Sequence, residues 1–335
     1  MTMNSLRSPD GARHEGVING MSRMRQYLIS VALLAALSTA ACATAAPAST
    51  PGVHALDDIR ILSADDMEGR GVDTPGGAKA RAYILKRFGQ IGLKPQGAAF
   101  EQPFTFTSKL GKTLHGVNLV ARIEGTSSSD KVLVVSAHYD HLGIKNGQIY
   151  NGADDNASGV AGLLAVAEAF KARPPRHTVL IVAFDGEESG LRGAKAFVAA
   201  LPVPLDKLGL DVNFDMISKN AKGELYASGA GPQPFLKPVL ERVAKTAPVI
   251  LKLGHDTDAD GKENNWTQQS DQGPFAVAGV PWVYFGVEDH PEYHQPTDDF
   301  ETVPQDFFKH AVSTVVAATR ALDDDLDGIS KAAGR

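Results

Sequence analysis

Hydrophobic and polar positions along this chain change period repeatedly, and the changes mark its elements. Over 77–91, Ala80, Tyr83, Ile84, Arg87, Phe88 and Ile91 approximate a 3.6-residue period, which predicts a helix, and a shorter helix is predicted over 56–62. The glycine- and proline-bearing "EGRGVDTPGG" between them reads as a loop. From Phe100 onward, short apolar runs alternate with longer amphipathic stretches. "EQPFTFT", "VNLVARIEG", "KVLVVSA" (131–137), "HTVLIVAF", "LGLDVNFDMI", "APVILKL" and "VPWVYFGV" (280–287) read as strands. Helices are expected over "GVAGLLAVAEAFKA" (159–172) with Ser158 as a cap, over "LRGAKAFVAAL", over "QPFLKPVLERVAKTA" with an interruption at Pro238, and over 304–322. Strands of near-continuous apolar character alternating with helices predict an α/β fold, a mostly parallel mixed sheet sandwiched between helices.

Composition narrows the function classes. With 335 residues, 43% hydrophobic and 21% charged, the chain is ordinary globular material, and a net charge of -6 supplies no basic field for a phosphate backbone. No nucleic-acid partner is expected. Residues 1–20 lack periodicity and read as an upstream extension, with Met21 as the working start. Over 21–45, Arg23 and Arg25 precede an apolar stretch from Tyr27 to Leu37 and then small residues, the layout of a secretory signal. That stretch is about half the roughly 20 residues a membrane span needs, so no transmembrane span is expected and the protein is expected to be exported, periplasmic or secreted. Cys42, the sole cysteine, has two readings: "ACA" fits a small-x-small cleavage site, and small residues before a cysteine also mark lipid attachment, with Thr39 favouring cleavage. Residues 46–53 form a linker, 54–325 the catalytic domain and 326–335 a tail.

Charged residues collect where ligands of open α/β sheets collect, beyond the carboxyl ends of the strands. "KVLVVSA" runs into "HYDH" (138–141), "HTVLIVAF" into "DGEE", "LGLDVNF" into Asp215, and "VPWVYFGV" into "EDHPEYHQPTDD" with His290 and His294. Asp154 and Asp155 precede the helix at 159. Singly, these are structural histidines, helix caps and solvated turns. Together they put imidazoles and carboxylates at the ends of several strands, and burial of such groups requires pairing or a metal. Imidazole and carboxylate are zinc's usual non-thiolate donors. In "HYD", His138 is placed to bind metal while Asp140, on the same side of an extended chain, holds its other ring nitrogen. In "EE", adjacent side chains diverge, so Glu188 binds and Glu187 serves as base.

These residues resemble the co-catalytic di-zinc aminopeptidases secreted by bacteria, whose wider relatives include glutamate carboxypeptidases and glutaminyl cyclases. The resemblance runs in order through "SAHYDHLG", "NGADDNASG", "DGEESGLRG", "NFDMIS" and "YHQPTDDF", and the early "LSADDMEGRGVDTPGG" is similar to the N-terminal portion of bacterial members. It implies that Asp155 bridges two zinc ions, that His138 and Asp215 complete one site, and that Glu188 and His294 complete the other. Glu187 matches the general base, Asp140 the carboxylate behind the first histidine, and Tyr293 a tyrosine that assists the oxyanion in some members. His141 and His290 match no ligand position and are expected behind the ligands or at the surface. The implied activity is hydrolysis of the N-terminal peptide bond of peptide substrates through a zinc-activated water. Rivals are a one-zinc glutaminyl cyclase, a dipeptidase or carboxypeptidase on the same scaffold, and a non-catalytic binding protein. Many relatives carry an inserted protease-associated domain, for which the connection 100–131 is too short.

"DTDADG" (256–261) matches the first half of a calcium loop, with Asp256, Asp258 and Asp260 alternating and Gly261 at the turn. Thr267 stands where that motif needs a glutamate, so a plain acidic loop is the favoured reading over Ca2+.

Overall fold

The computed structural model describes residues 52–335, apart from the side chain of residue 260. The expected extension at 1–20, the signal at 21–45, Cys42 and most of the linker lie outside the described residues.

The chain begins with helices α1 (Ala55–Leu62) and α2 (Pro75–Ile91). Thr74 starts α2 by accepting a hydrogen bond from the Gly77 N–H at 3.1 Å, Pro75 occupies the first turn, and Gly92 closes the helix in the left-handed conformation at φ +74°. Strands β1 (Lys94–Pro95), β2 (Glu101–Thr107) and β3 (Thr113–Ile123) follow, then β4 (Val132–His138) and a small hairpin of β5 (Gly143–Lys145) and β6 (Gln148–Tyr150). After α3 (Gly159–Ala172) come β7 (Thr178–Phe184), α4 (Arg192–Ala199), β8 (Leu208–Phe214), β9 (Glu224–Ser228), α5 (Lys237–Ala244) and β10 (Ile250–Leu253). The chain ends through α6 (Gln272–Val277), β11 (Trp282–Gly286), α7 (Gln305–Asp324) and α8 (Leu326–Ala332).

A nine-stranded sheet runs in the order β1–β3–β7–β4–β8–β11–β9–β10, with β2 also on β3. Its centre, β7–β4–β8–β11, is parallel, while β3 against β7 and β9 against β11 are antiparallel. The sheet is therefore mixed, with parallel pairing in the part buried on both faces. Along β4 the sides alternate: Leu133, Val135 and Ala137 enter the larger core with α1, α2, α3 and α7, and Val132 and Val134 enter the smaller one with Phe197 of α4 and Phe275 of α6.

Three local expectations change in three dimensions, and two elements appear that none covered. Ser158 does not cap α3, because its hydroxyl donates to the Asp154 carbonyl at 2.7 Å; Asn156 Oδ1 accepts from the Gly159 N–H at 2.9 Å instead. Pro238 opens α5 rather than interrupting it, since a proline in the first turn removes only an N–H without an intrahelical partner. Strand β9 and helix α6 were not anticipated, the first because its polar ends mask a short apolar run. Within 326–335, assigned to a tail, Leu326–Ala332 form α8, which buries Leu326 and Ile329 in the core.

Because β7, β4, β8 and β11 run in one direction, their carboxyl ends open onto one edge. The loops 138–141, 185–191, 215–218 and 287–299 meet there, joined by the turn at 151–158 before α3.

Candidate metal centre

Asp155 stands at the middle of this edge, 4% exposed, with its two carboxylate oxygens turned to different neighbours. Oδ1 lies 3.5 Å from His138 Nε2, which is itself 3.2 Å from Asp215 Oδ1. Oδ2 lies 3.1 Å from His294 Nε2 and 3.6 Å from His141 Nδ1. Glu188 closes the second group, with Oε2 at 3.3 Å from His294 Nε2 and Oε1 at 2.7 Å from His141 Nδ1. Two clusters that could each hold a metal ion thus share one aspartate: His138–Asp155–Asp215 and His141–Asp155–Glu188. All five expected ligands are gathered here. His141, expected behind the ligands or at the surface, is fully inside the second cluster and 2% exposed. Only its position beside "HYD" in the sequence hinted at this.

The donor set fits a cation on its own chemistry. Asp155, Asp215 and Glu188 converge with no lysine or arginine paired to them among the described residues, and Glu188 Oε1 and both nitrogens of His141 are buried without a hydrogen bond. A buried, unpaired polar atom costs about 1–3 kcal/mol, and excess negative charge more, so the arrangement calls for a cation from outside the chain. Charges respond accordingly. The two imidazoles beside Glu188, His141 and His294, outweigh its burial and hold its carboxyl well below the usual range. Burial works against protonated His294, but Asp155 and Glu188 push its pKa up to about 10.

Asp140 and Glu187 sit behind and beside this pair. Asp140 reaches His138 mainly through its backbone: its carbonyl is 3.1 Å from Nδ1 and its carboxylate Oδ1 3.7 Å. That Oδ1 accepts the Glu187 N–H at 3.0 Å, so Asp140 ties the first histidine to the glutamate pair. Glu187 lines the pocket over the cluster. Burial raises its pKa well above the carboxylate range; His138 opposes this and Asp271, Asp215 and Glu188 reinforce it. Tyr293 stacks on His294, ring centroids 4.0 Å apart, and lines the same pocket, a cavity of ≈ 330 Å³.

A further layer holds the ligand loops. Asp298, in the "TDD" that reads as a solvated loop, is buried and accepts the Asp154 N–H and Asp155 N–H at 3.0 and 3.1 Å while pairing with Lys219 Nζ at 2.7 Å. Asp154 accepts from the Ser218 N–H at 2.7 Å and meets His290 Nε2 at 2.9 Å, which places His290 one layer behind the cluster. Arg70, from the early "EGR", is wholly buried and donates to the carbonyls of Tyr139 and Gly152 at 2.9 Å and Asp155 at 3.3 Å. Burial pulls its pKa to about 10 against the pull of Asp155 and Asp298, so it stays charged at neutral pH. Leu191, Met216 and His294 hold φ of +59°, +58° and +54°, left-handed backbone that costs a non-glycine residue about 1 kcal/mol or more and that clusters at functional sites.

A larger cavity, ≈ 930 Å³, lies elsewhere, lined by Asp65, Asp66, Asn151, Asp299 and Glu301. It includes none of the clustered ligands. In the 256–261 loop, Asp256 Oδ2 is spent on the N–H groups of Gly229 and Gly231 at 2.9 and 2.8 Å, and Asp258 on Asn265 Nδ2 at 2.8 Å.

An open α/β sheet whose parallel strands deliver imidazoles and carboxylates to a shared aspartate is a scaffold for a metal centre. The chain belongs to peptidase family M28, whose family model matches residues 118–319. Aminopeptidase YwaD of Bacillus subtilis is 27% identical over 242 residues, covering 68% of this chain and 50% of that protein. The chain spans about half the length of the curated relatives it matches. Among solved structures, BSAP, a zinc aminopeptidase from Bacillus subtilis, superposes with a TM-score of 0.67 at 17% identity, covering 82% of this chain and 95% of that one. Porphyromonas gingivalis glutaminyl cyclase superposes with a TM-score of 0.67 at 17% identity, covering 82% and 98%. No helix among the described residues is long and apolar enough to cross a membrane.

Proposed function

We propose that this protein is an exported aminopeptidase that removes the N-terminal residue of peptides with two zinc ions. His138, Asp155 and Asp215 would hold one ion, and Asp155, Glu188 and His294 the other. The observation that carries this reading is the split of Asp155, one oxygen toward each cluster. Zinc, when bound, supplies Lewis-acid polarisation of a carbonyl and acidifies water toward a pKa of about 7.

The chain's own residues do the rest. Glu187 takes the proton of the attacking water on its carboxylate and delivers it to the departing amine, a task suited to a carboxyl that burial makes more basic than an ordinary glutamate. Asp140 orients that glutamate through its N–H and His138 through its ring nitrogen. Tyr293, which lines the pocket beside His294, would donate a hydrogen bond from its hydroxyl to the developing oxyanion. A cavity of ≈ 330 Å³ fits the end of a peptide rather than the middle of a folded chain. Export rests on the signal read over 21–45.

The test is mass spectrometry of a defined peptide mixture, free and N-acetylated, incubated with the protein with and without chelator. Chelator-sensitive loss of single residues from free N-termini alone is expected. Cleavage from C-termini would keep the metal centre and change the class of peptidase, and loss of ammonia from N-terminal Gln would replace hydrolysis by cyclisation.

A further inference from the structure

We infer that His141 is a ligand of the metal held by Asp155 and Glu188, so that this position carries two imidazoles, His141 from the floor and His294 from the rim. The inference rests on the two-zinc reading and adds one donor to it.

The geometry at His141 Nδ1 is the starting point. It lies 2.7 Å from Glu188 Oε1 and 3.6 Å from Asp155 Oδ2, yet neither it nor Glu188 Oε1 makes a hydrogen bond, although both are buried. A ring nitrogen this close to a carboxylate but not aligned with it directs its lone pair elsewhere. Co-ligands of one cation stand in that relation, side by side and both aimed at a third point. His294 repeats the pattern from the other side, with Nε2 3.1 Å from Asp155 Oδ2 and 3.3 Å from Glu188 Oε2. The two rings are 5.9 Å apart between centroids and tilted by 51°, so they converge on the same carboxylate pair without touching.

The ring is also held in place from behind. The backbone N–H of His141 donates to the Arg70 carbonyl at 3.4 Å, and the Arg70 guanidinium grips the carbonyls of Tyr139 and Gly152 at 2.9 Å. One buried cation thus sets the spacing between the loop of His141 and the loop of Asp155. Gly152, at φ +56°, faces the ring directly; a Cβ there would meet His141 Cδ2 at 2.5 Å. The imidazole is seated against backbone that only glycine leaves open.

Two imidazoles and two carboxylates form a nitrogen–oxygen set suited to zinc, against one imidazole and two carboxylates at the other position. The consequence is an asymmetric pair. The buried His141 keeps the Glu188 position filled when His294, whose side chain is 39% exposed, is removed.

The experiment strips wild-type, His141→Ala and His294→Ala proteins with chelator, reloads them with zinc, and measures zinc content by mass spectrometry and imidazole count by zinc-edge X-ray absorption. Wild type is expected to hold two zinc ions with three imidazoles between them. Saturated His141→Ala should lose one imidazole from that count and release one zinc at chelator concentrations lower by about tenfold or more, while His294→Ala retains both ions at saturation. An unchanged imidazole count in loaded His141→Ala would make His141 a mere orienting neighbour of Glu188 and overturn the inference, leaving the two-zinc reading intact. A wild-type protein that takes up no zinc would overturn both. If His141→Ala does not fold, judged by circular dichroism of the metal-free protein, His141→Asn carries the same measurement.

Discussion

Asp58, between α1 and α2, is 2% exposed, as buried as Asp155 at 4%, yet the two carboxylates live in opposite surroundings. Asp58 receives Arg87 Nε at 2.7 Å, Arg87 Nη2 at 3.2 Å and the Tyr83 hydroxyl at 2.6 Å, and the same guanidinium goes on to Glu168 at 2.6 Å. Every buried charge there finds its opposite within the chain. Around Asp155, carboxylates meet other carboxylates, and both ring nitrogens of His141 are buried without a hydrogen bond. The first cluster is complete as folded; the second is complete only with a cation from outside. Burial alone does not separate a structural from a functional charge, whereas the sign and alignment of its neighbours do.

The contrast can be broken most forcefully at Asp155. Asp155→Ala removes the donor common to both clusters, so bound zinc and peptidase activity should be lost together, with zinc content and peptide release measured on the same samples; activity surviving at zero zinc would defeat the metal reading. Glu187→Gln separates chemistry from binding. Turnover should fall by roughly 10²–10⁴-fold with zinc content unchanged, and a wild-type rate would remove Glu187 from the role of base.

Arg87→Ala attacks the self-sufficient cluster instead. It leaves Asp58 and Glu168 without their partner, which should cost about 3–5 kcal/mol of stability in denaturant unfolding, while the remaining folded protein hydrolyses peptide at the normal rate per molecule. The reverse outcome, stability kept and activity lost, would show that the two clusters are not independent.

The smallest effect is expected at His177, which stands between Asp323 at 3.1 Å and Asp327 at 3.2 Å. Burial disfavours its charge, but the two carboxylates outweigh burial and raise its pKa above the ordinary 6.5. A group that binds its proton more tightly folded than unfolded stabilises fully below the unfolded value, and that stability is lost as pH rises through the raised folded value. Melting temperature should therefore decline from slightly acid toward alkaline pH, and His177→Asn should flatten the decline; parallel curves would show that the pair carries no linkage.

What the sequence by itself determined was whatever is written locally. Apolar runs of strand length set β4, β7, β8 and β11, and the charged residues that end them or lie in the loops after them, His138, Glu187, Glu188, Asp215 and His294, were legible because chain direction in a parallel sheet sends every such end to one edge. Tertiary structure alone decided which further side chains arrive. Arg70 bonds a carbonyl 82 residues away, and Asp298 holds the backbone of Asp155 across 143 residues. His141 enters the cluster because a loop turns its ring over Gly152. No periodicity carries such information: a side chain's neighbours along the chain report its element, while its partners through space depend on how the elements pack. Ser158 and Pro238 taught the same lesson on a smaller scale, since each had several chemically sound uses and the surrounding fold chose among them.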